Sequence, residues 1–138
     1  MTFNDVTPNL VVADLDRSLA FYRDVLGFKV VTTVPDTPAA PKPGTGESGY
    51  AFAWMQRDTV SVFLNSEASA QMKASAGTNG LFVTLQADEA ASGIDALYAA
   101  VKDHAPVTME LVNQFYGMRE FAIKDPDGYM VVFAQPIR

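Results

Sequence analysis

One order of segments occurs twice along the chain, and it leaves few folds open. The first copy begins with Asp5 to Val12, which alternates into an apolar run and reads as a strand. Asp14 and Asp16 offer capping carboxylates to a helix over Arg17 to Leu26, where Leu19, Phe21 or Tyr22, Val25 and Leu26 form one apolar face. Gly27 is placed to stop that helix, and Phe28 to Val34 follows as a β-branched strand. Tyr50 to Gln56 and Thr59 to Leu64 read as a hairpin turning at Arg57-Asp58. After a polar stretch from Asn65 to Gly80, with a short helical turn near Ala68 to Ala74, the order returns. Leu81 to Gln86 is a strand, and Ala90 to Asp103 a helix with Ile94, Leu97, Tyr98 and Val101 as its stripe. Val107 to Val112 is a strand, and a last hairpin pairs Arg119 to Lys124 with Tyr129 to Ala134. Its turn, Asp125-Pro126-Asp127-Gly128, has Pro to preset φ, aspartates to bind backbone amides and Gly to accept a positive φ. The sequence therefore predicts β-α-β-β-β twice in one α+β domain, with modules over about 1–65 and about 80–138. The starts run in parallel: Leu10-Val11-Val12-Ala13-Asp14 before the first helix, Thr84-Leu85-Gln86-Ala87-Asp88 before the second.

Alternation in the first hairpin separates two chemistries. Pairing across Arg57-Asp58 sets Trp54 against Ser61 and Phe52 against Phe63. One face then carries Ala51, Ala53, Met55, Val60, Val62 and Leu64, suited to lie under a helix. The other carries Tyr50, Phe52, Trp54, Ser61 and Phe63, an aromatic surface that protein or ligand must cover. Between the strands, Pro35 to Ser48 holds four prolines and reads as a loop, either a binding loop or a passive connection.

Composition excludes several classes. The net charge of −6, with no Lys/Arg cluster, argues against nucleic acid and mildly favours a cationic partner. No apolar run reaches the roughly 20 residues of a membrane-crossing helix, and the N-terminal residues do not read as a signal segment. The absence of cysteine excludes disulfides and thiolate chemistry. A cytoplasmic location is the expectation.

Two groups of words carry a family resemblance. Near the start they are Asn9-Leu10-Val11-Val12-Ala13-Asp14-Leu15-Asp16-Arg17-Ser18, Phe21-Tyr22 and Leu26-Gly27-Phe28. Near the end they are Gly117-Met118-Arg119-Glu120-Phe121 and Asp125-Pro126-Asp127-Gly128-Tyr129. Together they make the chain similar to the vicinal oxygen chelate superfamily, which includes glyoxalase I, extradiol dioxygenases and the fosfomycin- and bleomycin-type resistance proteins. The resemblance implies cupped mixed sheets with helices on the convex side, a ligand on the concave side, and a homodimer. Metal-dependent members place His, Gln or Glu at four strand positions, which fall here on Thr7, near Ser61, on Gly80 or Leu81, and on Val132. None of these is imidazole or carboxylate, so no metal and no other cofactor is expected. The single histidine, His104, reads as a surface residue at a helix end.

Among metal-free relatives, the ending Tyr116 to Ala134 resembles that of drug-sequestering proteins. That resemblance implies a small aromatic ligand, an antibiotic of the bleomycin or mitomycin kind, held without chemistry. The candidate ligand-binding residues are Asn9, Phe52, Trp54, Ser61, Phe63, Phe115, Tyr116, Met118 and Arg119. Arg119 and Glu120 adjoin on a strand and must face opposite ways, so one can meet a ligand while the other makes a salt bridge. Glu120, with Tyr116, is the candidate acid or base for an alternative function, a metal-independent lyase or isomerase of secondary metabolism. A small-molecule sensor is a third reading. Asp14 and Asp16 read as caps, and Asp125 and Asp127 as turn formers.

Overall fold

The computed structural model describes residues 1–35, 49–67, 70–86 and 93–137. The chain forms two compact units, Met1–Ala76 and Gly77–Arg138. In the first, β1 is Asn9–Val11, α1 is Leu15–Ala20, and a π-helical turn over Phe21–Val25 continues it. Strands β2 (Lys29–Pro35), β3 (Tyr50–Arg57) and β4 (Val60–Asn65) follow, then a short helix α2 (Ala70–Ala74). The second unit contains β5 (Gly80–Thr84), α3 (Gly93–Val101), β6 (Val107–Asn113), β7 (Met118–Lys124) and β8 (Met130–Pro136).

Each unit builds one four-stranded mixed sheet, ordered β1-β4-β3-β2 and β5-β8-β7-β6. The outer pairs β1/β4 and β5/β8 are parallel, and the remaining neighbours antiparallel. The expected α+β fold with β-α-β-β-β twice is therefore the observed one. Hydrogen bonds refine how the copies correspond. Val12 N donates to Asn65 O as Leu85 N donates to Ala134 O, which equates Leu10 with Val83. Matching the words Leu10-to-Asp14 and Thr84-to-Asp88 is thus one residue out of register. In a strand one residue is a change of face.

Local chemistry explains where the helices start and stop. Asp14 is extended (φ −133°) and its carboxylate accepts from Arg17 N at 3.2 Å, an N-cap as expected. The helix closes on wider bonds, Leu26 N to Phe21 O at 3.2 Å and Phe28 N to Tyr22 O at 2.8 Å, before Gly27 turns the chain at φ +72°. Arg57 Nη1 donates to the freed Leu26 carbonyl at 2.8 Å and satisfies that end from β3. At the opposite end of the chain, Asp125 Oδ1 accepts from Asp127 N and Tyr129 N, both at 2.9 Å, which fixes the last hairpin turn.

The helix-facing sides form the cores. In the first unit Leu15, Leu19, Tyr22 and Leu26 lie over Ala51, Ala53, Met55, Val62 and Leu64, all buried. In the second, Ile94, Tyr98 and Val101 lie over Phe121, Ile123, Val131 and Phe133, with the Tyr98 and Phe121 rings 5.0 Å apart. Each large apolar side chain so buried stabilises the fold by about 1.5–3 kcal/mol. Strand β1 is shorter than the expected Asp5 to Val12. Pro8 has no N–H to continue the ladder, although its carbonyl still accepts from Phe63 N at 2.8 Å. The helix expected over Ala90 to Asp103 ends at Val101, two residues early, and residues 87–92 lie outside those described. His104 is exposed beyond its end.

Candidate functional site

The sheet faces turned away from the helices carry the candidate residues. In the first unit the hairpin turns at Asp58-Thr59, with Asp58 in the left-handed region (φ 53°), not at Arg57-Asp58. The pairs are Trp54 with Phe63, Gln56 with Ser61 and Phe52 with Asn65. Relative to the expected pairs the register slides by two residues, and an even slide leaves every side chain on its face. The aromatic face therefore survives, with different neighbours.

Phe63 is its centre. Its ring lies 5.0 Å from Phe52 and 6.1 Å from Trp54, the latter edge-on at 85°. Both spacings are in the range of favourable aromatic pairs. The Trp54 indole N–H donates to Ser61 Oγ at 3.0 Å, so the polar atom of the indole is satisfied within the face and what remains outward is apolar. All three rings are half-buried. Asn9 on β1 pairs with Phe63 and is exposed beside it. The pairing adds three side chains that the sequence reading passed over: Gln56 and Asn65 at the ends of the hairpin, and Thr32 of β2 opposite Trp54. Extending the alternation by one step at each end would have found Gln56 and Asn65. The surface is thus three rings edged by short neutral hydrogen-bonding groups.

The second unit places Glu120 on the face away from α3, in register with Ala134 and Val112. It is 2% exposed, in a strand face that also carries Phe82, Met118, Ala122, Met130 and Val132, with Thr84 and Lys124 as its polar members. The Tyr116 hydroxyl donates to Glu120 Oε2 at 2.7 Å. That bond to a carboxylate pushes the Tyr116 phenol above its ordinary pKa, aided by desolvation and by the negative charge. Glu120 Oε1 is buried with no hydrogen-bond partner among the described residues. Phe115 is almost fully exposed and touches only the edge of Tyr116 in a ring pair 5.1 Å apart.

Arg119 points the other way. Its guanidinium donates to both carboxylate oxygens of Asp95, at 2.9 and 3.1 Å, and to Asn113 Oδ1 at 2.9 Å. The fork raises the Arg119 pKa and lowers that of Asp95. Of the two roles open to this residue, ligand contact and salt bridge, the geometry gives it the salt bridge on the helix side. The structure therefore removes Arg119 from the open face on which Glu120 and Met118 lie. Among the described residues, no group of three or more His, Cys, Asp or Glu side chains is gathered as a metal would require.

A family model for the Glyoxalase/Bleomycin resistance protein/Dioxygenase superfamily matches residues 3–133. The chain belongs to this superfamily. No curated protein matches the sequence. Solved structures of superfamily-like shape include TnmS3, an antibiotic binding protein from Streptomyces sp. CB03234, at TM-score 0.71 and 21% identity, covering 99% of this chain and 98% of that one. TioX from Micromonospora sp. ML1 matches at TM-score 0.68 and 16% identity over 98% and 100% of the two chains. The bleomycin-binding protein of Streptomyces verticillus, complexed with copper(II)-bleomycin, matches at 0.64 and 20% over 96% of each. At these identities the likeness is one of fold. Gly80 shares the open face with Met130, whereas Leu81 lies on the helix side.

Proposed function

We propose that this chain is a small-molecule binding protein that holds a planar aromatic ligand, of the antibiotic class, against Phe52, Trp54 and Phe63. One observation carries the reading: the Phe63 ring pairs with both Phe52 and Trp54 on the side of the sheet opposite the core, with the only polar ring atom already bonded to Ser61. Such a surface gains by covering its rings with another π-system, at about 0.5–1.5 kcal/mol per aromatic pair beyond area burial. Asn9, Gln56 and Asn65 supply donors and acceptors at the edge, which orient a ligand without reacting with it. Binding is metal-independent in this reading, since the positions at which the family resemblance implies metal ligands fall on Thr7, near Ser61, on Gly80 or Leu81, and on Val132. The acidic chain favours a cationic drug, and the working form is a cytoplasmic homodimer, as the family resemblance implies.

The test is mixing with bleomycin, mitomycin and the planar dye proflavine, followed by mass spectrometry of the recovered compound. Saturable binding with mass and chromatographic retention both unchanged supports sequestration. A second reading, a metal-independent lyase or isomerase, draws on the 2.7 Å bond between Tyr116 and the buried Glu120 carboxylate. A product of changed mass, or of unchanged mass but changed chromatographic retention, that Glu120→Gln abolishes would establish it in place of the first.

A further inference from the structure

The second unit holds a polar group that its own fold leaves unfinished. Glu120 is 2% exposed, and its neighbours on the open face of the sheet are Ala122, Ala134, Val132, Met118 and Val112. One carboxylate oxygen is held by the Tyr116 hydroxyl at 2.7 Å, and the other, Oε1, has no partner among the described residues. Both ordinary explanations for a carboxylate in a strand fail. It does not pair with its neighbour Arg119, which faces α3 and is taken up by Asp95 and Asn113. It caps no helix, since it sits in the middle of the β7–β8 ladder, and its one bond to the turn before β7, from Tyr116, uses only Oε2. An unpaired buried carboxylate oxygen is costly. A hydrogen-bond donor that arrives with a ligand would recover that cost.

We infer that Glu120 is a recognition residue for a cationic nitrogen, a protonated amine or an amidinium, on a small molecule held at the open face of the second unit. Tyr116 fits the role of the adjustable partner. It is 53% exposed in the turn before β7, and its hydroxyl bond orients the carboxylate with Oε1 left over. When a ligand N–H reaches the carboxylate, the phenol can keep Oε2 or yield it to a second N–H of an amidinium fork. The open face around it is apolar and partly uncovered: Phe82 is 60% exposed, and Met130 and Val112 42% each. These side chains would pack the ligand's hydrocarbon body while Glu120 takes its charge. The inference rests on the small-molecule reading but not on the aromatic face, because its residues all belong to the second unit.

The experiment compares two probes of one shape, benzamidine and neutral benzamide, by calorimetric titration into the full chain. The wild type is expected to bind benzamidine in preference. Glu120→Gln, which keeps size and loses charge, is expected to weaken benzamidine roughly tenfold or more and leave benzamide unchanged. Tyr116→Phe, which removes the competing donor, is expected to retain the benzamidine preference. The circular dichroism spectrum serves as the control for folding and should be the same in Glu120→Gln and in the wild type, while proflavine quenching of Trp54 reads the first unit. Equal affinity for both probes in the wild type, or undiminished benzamidine binding by Glu120→Gln, overturns the inference. Loss of proflavine quenching in every protein would sink the aromatic-face reading instead, and leaves the benzamidine result to stand by itself.

Discussion

The two units share a strand order, a parallel outer pair and a helix over the sheet, yet their open faces have nothing in common. The first presents Phe52, Trp54 and Phe63 with hydroxyl and amide neighbours. The second presents Phe82, Val112, Met118, Met130 and one buried carboxylate. Their helix sides are by contrast alike, aliphatic and aromatic groups at or near zero exposure. Burial under a helix dictates one side of each sheet through packing, while the other side is free to diverge. An aromatic surface suits a planar ring, and a lone acceptor in apolar surroundings suits a cation. The difference marks where ligand chemistry is written on a common scaffold.

That contrast can be broken most directly through stability. Phe121, 0% exposed and stacked on Phe133 at 5.1 Å, belongs to a core. Phe121→Ala should cost about 3–5 kcal/mol in denaturant unfolding. Phe63→Ala, on a half-buried ring of the open face, should cost only about 1–2 kcal/mol. If the two substitutions cost the same, the aromatic face is a second core and the distinction fails. Next in size is Gln135, whose amide ties two segments together. Its Oε1 accepts from Ile94 N at 3.0 Å at the start of α3, and its Nε2 donates to Gln86 O at 2.9 Å. Gln135→Ala should cost about 1–3 kcal/mol, because the Ile94 N–H is then buried without a partner. A cost near zero would mean that water replaces the amide.

Smaller effects sharpen the second unit. Spectrophotometric titration should find Tyr116 ionising above the ordinary value of 10.0, and Glu120→Gln should bring it back toward that value. The sign follows from the raised pKa of the folded state. The bond's contribution to stability is fully present below the ordinary tyrosine value and is lost as pH rises through the higher folded one. An unshifted Tyr116 would contradict the 2.7 Å bond. Smallest of all is Arg119→Ala. Its pair with Asp95 is part-exposed, so the change should cost within about 0.5 kcal/mol and leave ligand binding alone. A clear loss of binding would return Arg119 to the ligand surface.

Much of this was legible in the sequence because sheets alternate. The face of Phe52, Trp54 and Phe63 follows from period two, and it survived a hairpin turn placed one residue early, since the slide was even. The opposition of Arg119 and Glu120 was equally legible. Which of them met the helix was not, because that depends on Asp95 arriving from α3, 24 positions back. The role of Gln135 was hidden for the same reason, as its partners Gln86 and Ile94 lie 49 and 41 positions away. The wide turn over Phe21–Val25 left no trace in the apolar spacing, which fits an α-helix about as well. The Pro/Gly-rich loop, from residue 36 to 48, lies outside the described residues.

The central claim is that the aromatic face of the first unit is a ligand surface, and the chain's single tryptophan, Trp54, lies in it. The direct measurement is therefore Trp54 fluorescence during titration with bleomycin, mitomycin and proflavine. Saturable quenching by at least one of them, weakened roughly tenfold or more by Phe63→Ala, is the predicted result. An indole unresponsive to all three, and shielded from acrylamide as well, would show that protein already closes this face, and would contradict the account.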